Sequence, residues 1–280
     1  MRQTILIILS LATTVALASS SENPTEIIRL SIRQTEANWL AAPNYSFIRI
    51  TSKSKPGHPP AIATHQVLMI EGSPYQKLIA EDGQPLSPAA AKEEEQKLQK
   101  EIYRRSKESP HERAQRMRKY TEERARDHNL LTAVSEAFDY TFADGSQSPS
   151  GGVWVLEGRT KPGYIPPNRD AKVLSNMNMK IWIDKASYQW IRLEAEVTQP
   201  VTLYGLAKVS PGTRFTLEQE PVSATVWLPK HFTMQVNATA LGLIHEDFTE
   251  DELYSKYTAA AGSIASSNAG EVFREPATAR

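Results

Sequence analysis

The sequence contains no cysteine in 280 residues. That absence excludes disulfides, thiolate zinc sites, iron–sulfur clusters, c-type haem attachment and a cysteine nucleophile. Net charge is also missing: 32 Lys+Arg balance 32 Asp+Glu, so no global field draws the chain to nucleic acid or to acidic lipid. Gly-x-Ser-x-Gly does not occur, and Gly151-Gly152 precedes a strand pattern rather than a helix, the wrong context for a phosphate cradle. No two of the six histidines have the i, i+4 spacing of a helical zinc site. The sequence therefore predicts no catalytic residues, no metal site and no cofactor.

No run approaches the roughly 20 apolar residues of a membrane span, and the chain is not expected to be integral to the membrane. The N-terminus instead has the parts of a leader. Arg2 is the charged start, Ile5 to Leu11 the apolar run, and Ala16-Leu17-Ala18 a small-x-small cleavage site. Residues 1–18 are read as a signal peptide and the mature protein as periplasmic or secreted. A lipoprotein would need Cys where Ser19 stands.

Asn23-Pro24 with Glu26 opens a helix, and Ile28, Ile32, Thr35 and Trp39 follow at helical spacing. Short β-type runs follow at Tyr45 to Thr51, Thr64 to Glu71 and Pro74 to Ala80, separated by turn formers. From Ser87 the character changes. Ser87-Pro88 and Ser109-Pro110-His111-Glu112 are two cap-plus-proline starts, and the stretch from Lys92 to Asp127 holds twelve basic and nine acidic residues. This reads as a charged helical hairpin inserted between strands at about 88–136.

The second half alternates as strands do. Met177, Met179, Ile181 and Ile183 share one face, and Ile191, Leu193, Ala195 and Val197 share another opposite Trp190 and Arg192. Further runs lie at 201–209, 213–219, 222–228, 230–241 and 243–248, a spacing that indicates a barrel or strongly curved antiparallel sheet. The acidic stretch His245-Glu246-Asp247 to Glu250-Asp251-Glu252 reads as a solvated loop or helix start. Residues 258–280, rich in Ala and Ser, read as a disordered tail.

Three segments carry a resemblance: Gly72-Ser73-Pro74-Tyr75-Gln76-Lys77-Leu78-Ile79; Met179-Lys180-Ile181-Trp182-Ile183-Asp184-Lys185 with Trp190-Ile191-Arg192-Leu193-Glu194; and Val226-Trp227-Leu228-Pro229-Lys230. Their order resembles the outer-membrane lipoprotein-sorting superfamily, the LolA-like fold that includes RseB-type periplasmic sensors, and more narrowly its uncharacterised secreted bacterial branch. The resemblance is strongest over 152–249. It implies an α+β fold: a curved antiparallel half-barrel, an incomplete β-barrel, with helices on its concave side. One such domain would span 19–257.

It also implies an apolar ligand, a lipid or lipoprotein acyl chain. The candidate cavity lining is Met177, Met179, Ile181, Ile183, Ile191, Leu193, Ala195 and Trp39. For the superfamily's interior arginine, Arg192 and Arg214 are candidates by strand location alone. The helical insertion departs from the sorting proteins. The leading reading is a binding or carrier protein. An envelope-stress sensor that contacts an envelope protein through the insertion is the alternative, and a secreted hydrolase comes third.

Overall fold

The computed structural model describes residues 22–143, 151–203, 207–240 and 244–260. The expected leader at 1–18 lies outside the described residues; of the expected tail at 258–280, Thr258 and Ala259 belong to the last strand and the residues beyond Ala260 lie outside the described residues. Among the described residues there are three α-helices, α1 (Pro24–Ala41), α2 (Pro88–Ser106) and α3 (Pro110–Ala137), and two 3-10 helices, at Ala42–Asn44 and Asp170–Asn176. The strands are β1 (Tyr45–Ser54), β2 (Ala61–Ile70), β3 (Ser73–Glu81), β4 (Gln84–Pro85), β5 (Phe138–Phe142), β6 (Val153–Thr160) and β7 (Met177–Asp184). They continue as β8 (Trp190–Val197), β9 (Val201–Leu203), β10 (Ala207–Val209), β11 (Arg214–Pro221), β12 (Trp227–Ala240) and β13 (Ile244–Ala259).

These strands form one antiparallel sheet in the order β4-β3-β2-β1-β13-β12-β11-β8-β7-β6-β5, with β10 joining β12 and β9. Its ends, β4 and β5, do not pair, so the sheet is an open half-barrel, as expected. In sequence the α2–α3 hairpin joins those two edges. No helix among the described residues is long and apolar enough to cross a membrane.

The helix starts follow from local chemistry. The Asn23 side chain accepts the Thr25 N–H at 2.9 Å ahead of Pro24. Ser87 accepts from Ala90 N, and Ser109 with Glu112 closes a full capping box. Helix α1 then buries Ile27, Ile28, Ser31, Thr35 and Asn38. Its polar members are tied down: Ser31 Oγ accepts the Trp190 indole N–H at 2.9 Å, Asn38 Nδ2 donates to Gln189 Oε1, and Asn38 Oδ1 accepts the Trp227 N–H. The helix is thereby fixed across the starts of β8 and β12.

One dense core lies on the inner face of β5 to β8. Phe138, Leu156, Met179, Ile181, Ile183 and Trp190 pack there against Ile27 and Ile28 of α1 and Ala133, Val134 and Ala137 of α3. Burial here supplies most of the hydrophobic stabilisation.

Three sequence expectations change. The first is the face of Trp190. A bulge between Trp182 and Ile183 pairs Ile181 with Leu193 but Ile183 with Trp190, so Ile191 is the extra residue and Trp190 turns inward to 2% exposure. Simple alternation had placed Trp190 outward. The second is the break between the runs at 222–228 and 230–241. The Val222 N–H donates forward to Val226 O, so that segment is a turn, and a single strand runs from Trp227 to Ala240.

The third is the acidic stretch. It is not a loop but the first half of β13, which begins at Ile244 and runs on to Ala259. Cross-strand cations stabilise it there: Lys53 lies 3.0 Å from Glu250 and Arg49 lies 3.7 Å from Glu252.

Candidate functional site

Opposed residues of an antiparallel pair share a face, so the registers define what the inner surface presents. One row runs Ile181, Leu193, Leu217, Phe232, Glu252, Thr51 from β7 to β1. The next runs Met179, Ala195, Phe215, Met234, Glu250, Lys53 across the same strands. Both rows are apolar over four strands and become charged at β13. At the β7 end the helices seal them. Over β8, β11 and β12 the side chains of Leu193, Phe215, Leu217, Phe232 and Met234 are only half-buried.

The sequence-predicted lining residues therefore divide. Met177, Met179, Ile181, Ile183 and Ala195 are buried in the core, while Leu193 lies at its margin. Ile191 is the bulged residue of β8. Trp39 lies on α1 rather than in the strand rows. Its ring lies beneath the Arg124 guanidinium at 4.1 Å and beside His128, where α1 meets α3. Phe215, Leu217, Phe232 and Met234 were not predicted. Their strands were legible, but which face each side chain takes depends on a register with strands far away in sequence.

Beyond the apolar rows the inner face carries an aromatic wall and a polar band. Tyr45, Phe47, Tyr254 and Tyr257 make ring contacts with centroids 5.3 to 6.4 Å apart. Burial pushes the Tyr254 and Tyr257 hydroxyls well above the usual phenol range. Tyr254 donates to Glu252, and Tyr257 donates to Pro229 O at 2.6 Å. Below the wall a groove of about 680 Å³ is lined by Arg49, Lys53, His65, Glu81, Glu250 and Glu252, among others.

Arg49 Nη2 donates to Gln76 Oε1 at 2.8 Å. Arg49 Nε and His65 Nδ1 are both closed to solvent and have no hydrogen-bond partner. Burial, reinforced by the neighbouring Arg49, lowers the His65 pKa, so this imidazole is neutral at pH 7.

Arg192 and Arg214, the two candidates for an interior arginine, face outward. Arg192 pairs with Glu218 at 2.5 Å and Glu194 at 2.6 Å, and Arg214 pairs with Glu196 at 3.3 Å. Among the described residues, Arg49 of β1 shares the face of Thr51 and Lys53, and nothing in the sequence singled it out. Among the described residues no three His, Asp or Glu side chains gather as a metal site.

The α2–α3 hairpin is held by a second constellation. Arg105 Nη1 donates to Ile70 O and Ser73 O at 2.8 Å each and to Ser73 Oγ at 3.1 Å, while Nη2 donates to Pro74 O. Arg116 reaches the same Ser73 hydroxyl at 2.6 Å and Glu71 O at 3.1 Å. Both guanidiniums clamp the β2–β3 turn.

No protein-family model and no curated protein matches the sequence. Among solved structures the chain is similar to a domain named for outer membrane lipoprotein sorting from Vibrio parahaemolyticus, at 11% identity and a TM-score of 0.35, covering 86% of this chain and 94% of that one. It is also similar to a DUF1329 family protein from Desulfovibrio piger, at 10% identity and a TM-score of 0.31, covering 86% of this chain and 95% of that one.

Proposed function

We propose that the chain is an exported binding or carrier protein for a ligand with a long apolar chain, a lipid or lipoprotein acyl group, laid along the inner face of β8, β11 and β12. The observation that carries this reading is the continuation of two apolar cross-strand rows beyond the helices that seal them at β7. Leaving Phe215, Leu217, Phe232 and Met234 half-buried forfeits hydrophobic stabilisation that a bound chain would restore. The leader at 1–18 supports export, and native protein should then begin at Ser19.

The test is titration with a fluorescent acyl probe, together with mass spectrometry of organic-extractable material that co-purifies. Saturable binding is expected, and Leu217→Gln with Phe232→Gln should weaken it about ten-fold or more by making the row polar. Ala195→Trp, growing out of the buried core beside Phe215, should also weaken binding, with an overpacking cost of about 1–3 kcal/mol. Folded protein that binds no acyl probe and carries no extractable ligand would refute the proposal. The interaction-module reading would then stand first.

A further inference from the structure

Where the apolar rows end, one strand away, the polar band begins: Phe232 is followed by Glu252 and Thr51, and Met234 by Glu250 and Lys53. An amphipathic ligand lying along the rows would place its polar end here, and the charges and donors of the band select among polar ends.

The permanent cations of the groove are already matched. Lys53 holds Glu250 at 3.0 Å and Arg49 lies 3.7 Å from Glu252. Glu81 and Asp82 add two further carboxylates to the lining. His65 contributes no opposing charge, since its burial disfavours the protonated ring. Two cations therefore face four carboxylates, and an incoming anion meets a net negative field.

Donors, by contrast, are unspent. Arg49 has five N–H groups. One is given to Gln76, Nε is closed to solvent and out of a ligand's reach, and Nη1, with the Glu252 oxygen at 3.7 Å and outside hydrogen-bond reach, keeps its donors for an incoming acceptor. An uncharged acceptor satisfies such a donor without adding to the negative surplus.

We infer that the band receives the carbonyl of an acyl ester or acyl amide at Arg49 and discriminates against the free carboxylate of the same chain. The inference rests on the apolar-chain reading above. Esters and amides present the same carbonyl chemistry, so both are tested.

The experiment is displacement of an uncharged pyrene-labelled hydrocarbon by laurate, methyl laurate and N-methyl lauramide, below their aggregation limits at pH 8. In wild-type protein the ester and the amide should each displace the probe at a concentration about ten-fold lower than laurate, the scale of one charge-assisted hydrogen bond. The Glu250→Gln, Glu252→Gln double variant should improve laurate by about five-fold or more. Arg49→Met should weaken ester and amide while leaving the hydrocarbon probe unchanged.

The wild-type comparison needs no variant to fold. If the hydrocarbon binds but laurate displaces it as well as or better than the ester and amide, the inference is wrong and the apolar-chain reading survives. If only the amide or only the ester gains over laurate, carbonyl recognition at Arg49 stands for that linkage and is overturned for the other. If the hydrocarbon probe does not bind, both readings fall.

Discussion

Arg104 and Arg105 are neighbours on α2 with the same side chain, and the fold assigns them different energies. Arg105 is 8% exposed and aims its guanidinium into the β2–β3 turn, donating to three carbonyls and the Ser73 hydroxyl, with Nε on Glu101 at 2.6 Å. Arg104 keeps half its side chain in water and pairs with Glu101 and Glu108. Truncating Arg105 to Ala leaves buried carbonyls without donors and Glu101 without one of its two arginines. Hydrogen bonds to charged groups are worth about 1.5–3 kcal/mol each but are not additive, and water recovers part, so Arg105→Ala should cost about 3 kcal/mol. Arg104→Ala should cost less than about 1 kcal/mol, as exposed pairs do.

The cost falls on opening of the α2–α3 hairpin, so the assay is native-state hydrogen exchange of amides over 90–123, with the core strands β7 and β8 as the internal reference. Arg105→Ala should accelerate exchange in the hairpin by about two orders of magnitude, the rate equivalent of that cost, and leave β7 nearly unchanged. Equal effects of the two alanine variants, or loss of protection spread evenly over the sheet, would refute the reasoning.

Ser31→Ala removes the acceptor of the fully buried Trp190 indole N–H and should lower global stability by about 1–3 kcal/mol in a urea melt, with Ser31→Thr restoring part. At Gly158 an added Cβ would lie 2.8 Å from Tyr140 Cε1 and 3.3 Å from Phe138 Cβ, so Gly158→Ala should cost about 1–3 kcal/mol by the same melt. Glu101 has its pKa lowered to about 2, first by the Arg104 hydrogen bond and then by Arg105, against burial. A depressed folded value means its stabilisation is complete above the ordinary value of 4.5 and is lost as pH falls toward 2. Hairpin protection should decline across that window, and Glu101→Gln should flatten the decline. Replacing 90–127 by a short flexible linker keeps Leu130 to Ala137 and should preserve a cooperative β-sheet melt; complete unfolding would make the hairpin part of the core.

Legibility in the sequence followed the range of the interactions involved. Each helix start could be read because capping joins residues two or three apart: Asn23 to Thr25, Ser87 to Ala90, Ser109 to Glu112. The inward face of β7 was legible because Met177, Met179, Ile181 and Ile183 alternate without interruption. The turn after it was legible too, with Asp184 accepting from the Ser187 amide and hydroxyl. What failed was non-local. The Ile191 bulge is set by pairing with β7, and β13 looked like an acidic loop because its neutralising partners, Lys53 and Arg49, lie some 200 residues earlier. The candidate site inherits that blindness, since its rows cross β8, β11, β12, β13 and β1 and exist only as a register.

The charged insertion makes physical sense once its place along the sheet is fixed. β3 is nearly an edge strand, since β4 pairs with it over only two residues. An uncovered edge offers backbone donors and acceptors to any other chain. Helix α2 covers it with polar groups: the Glu94 carboxylate accepts the Leu78 N–H, and Lys77 binds Glu95 at 2.5 Å. An apolar helix would serve this role less well, because an edge needs hydrogen-bond partners and the helix's other side faces water. The few apolar and buried residues of α2, Leu98 and Arg105, fix its position, and its charges cap the edge and keep it soluble. Helix α3 then runs without a break from Ala137 into Phe138 of β5, the strand at the opposite end of the sheet. The insertion thus ties both ends of an open sheet together while its apolar-poor surface leaves the half-buried rows of β11 and β12 uncovered, which is where the proposed ligand lies.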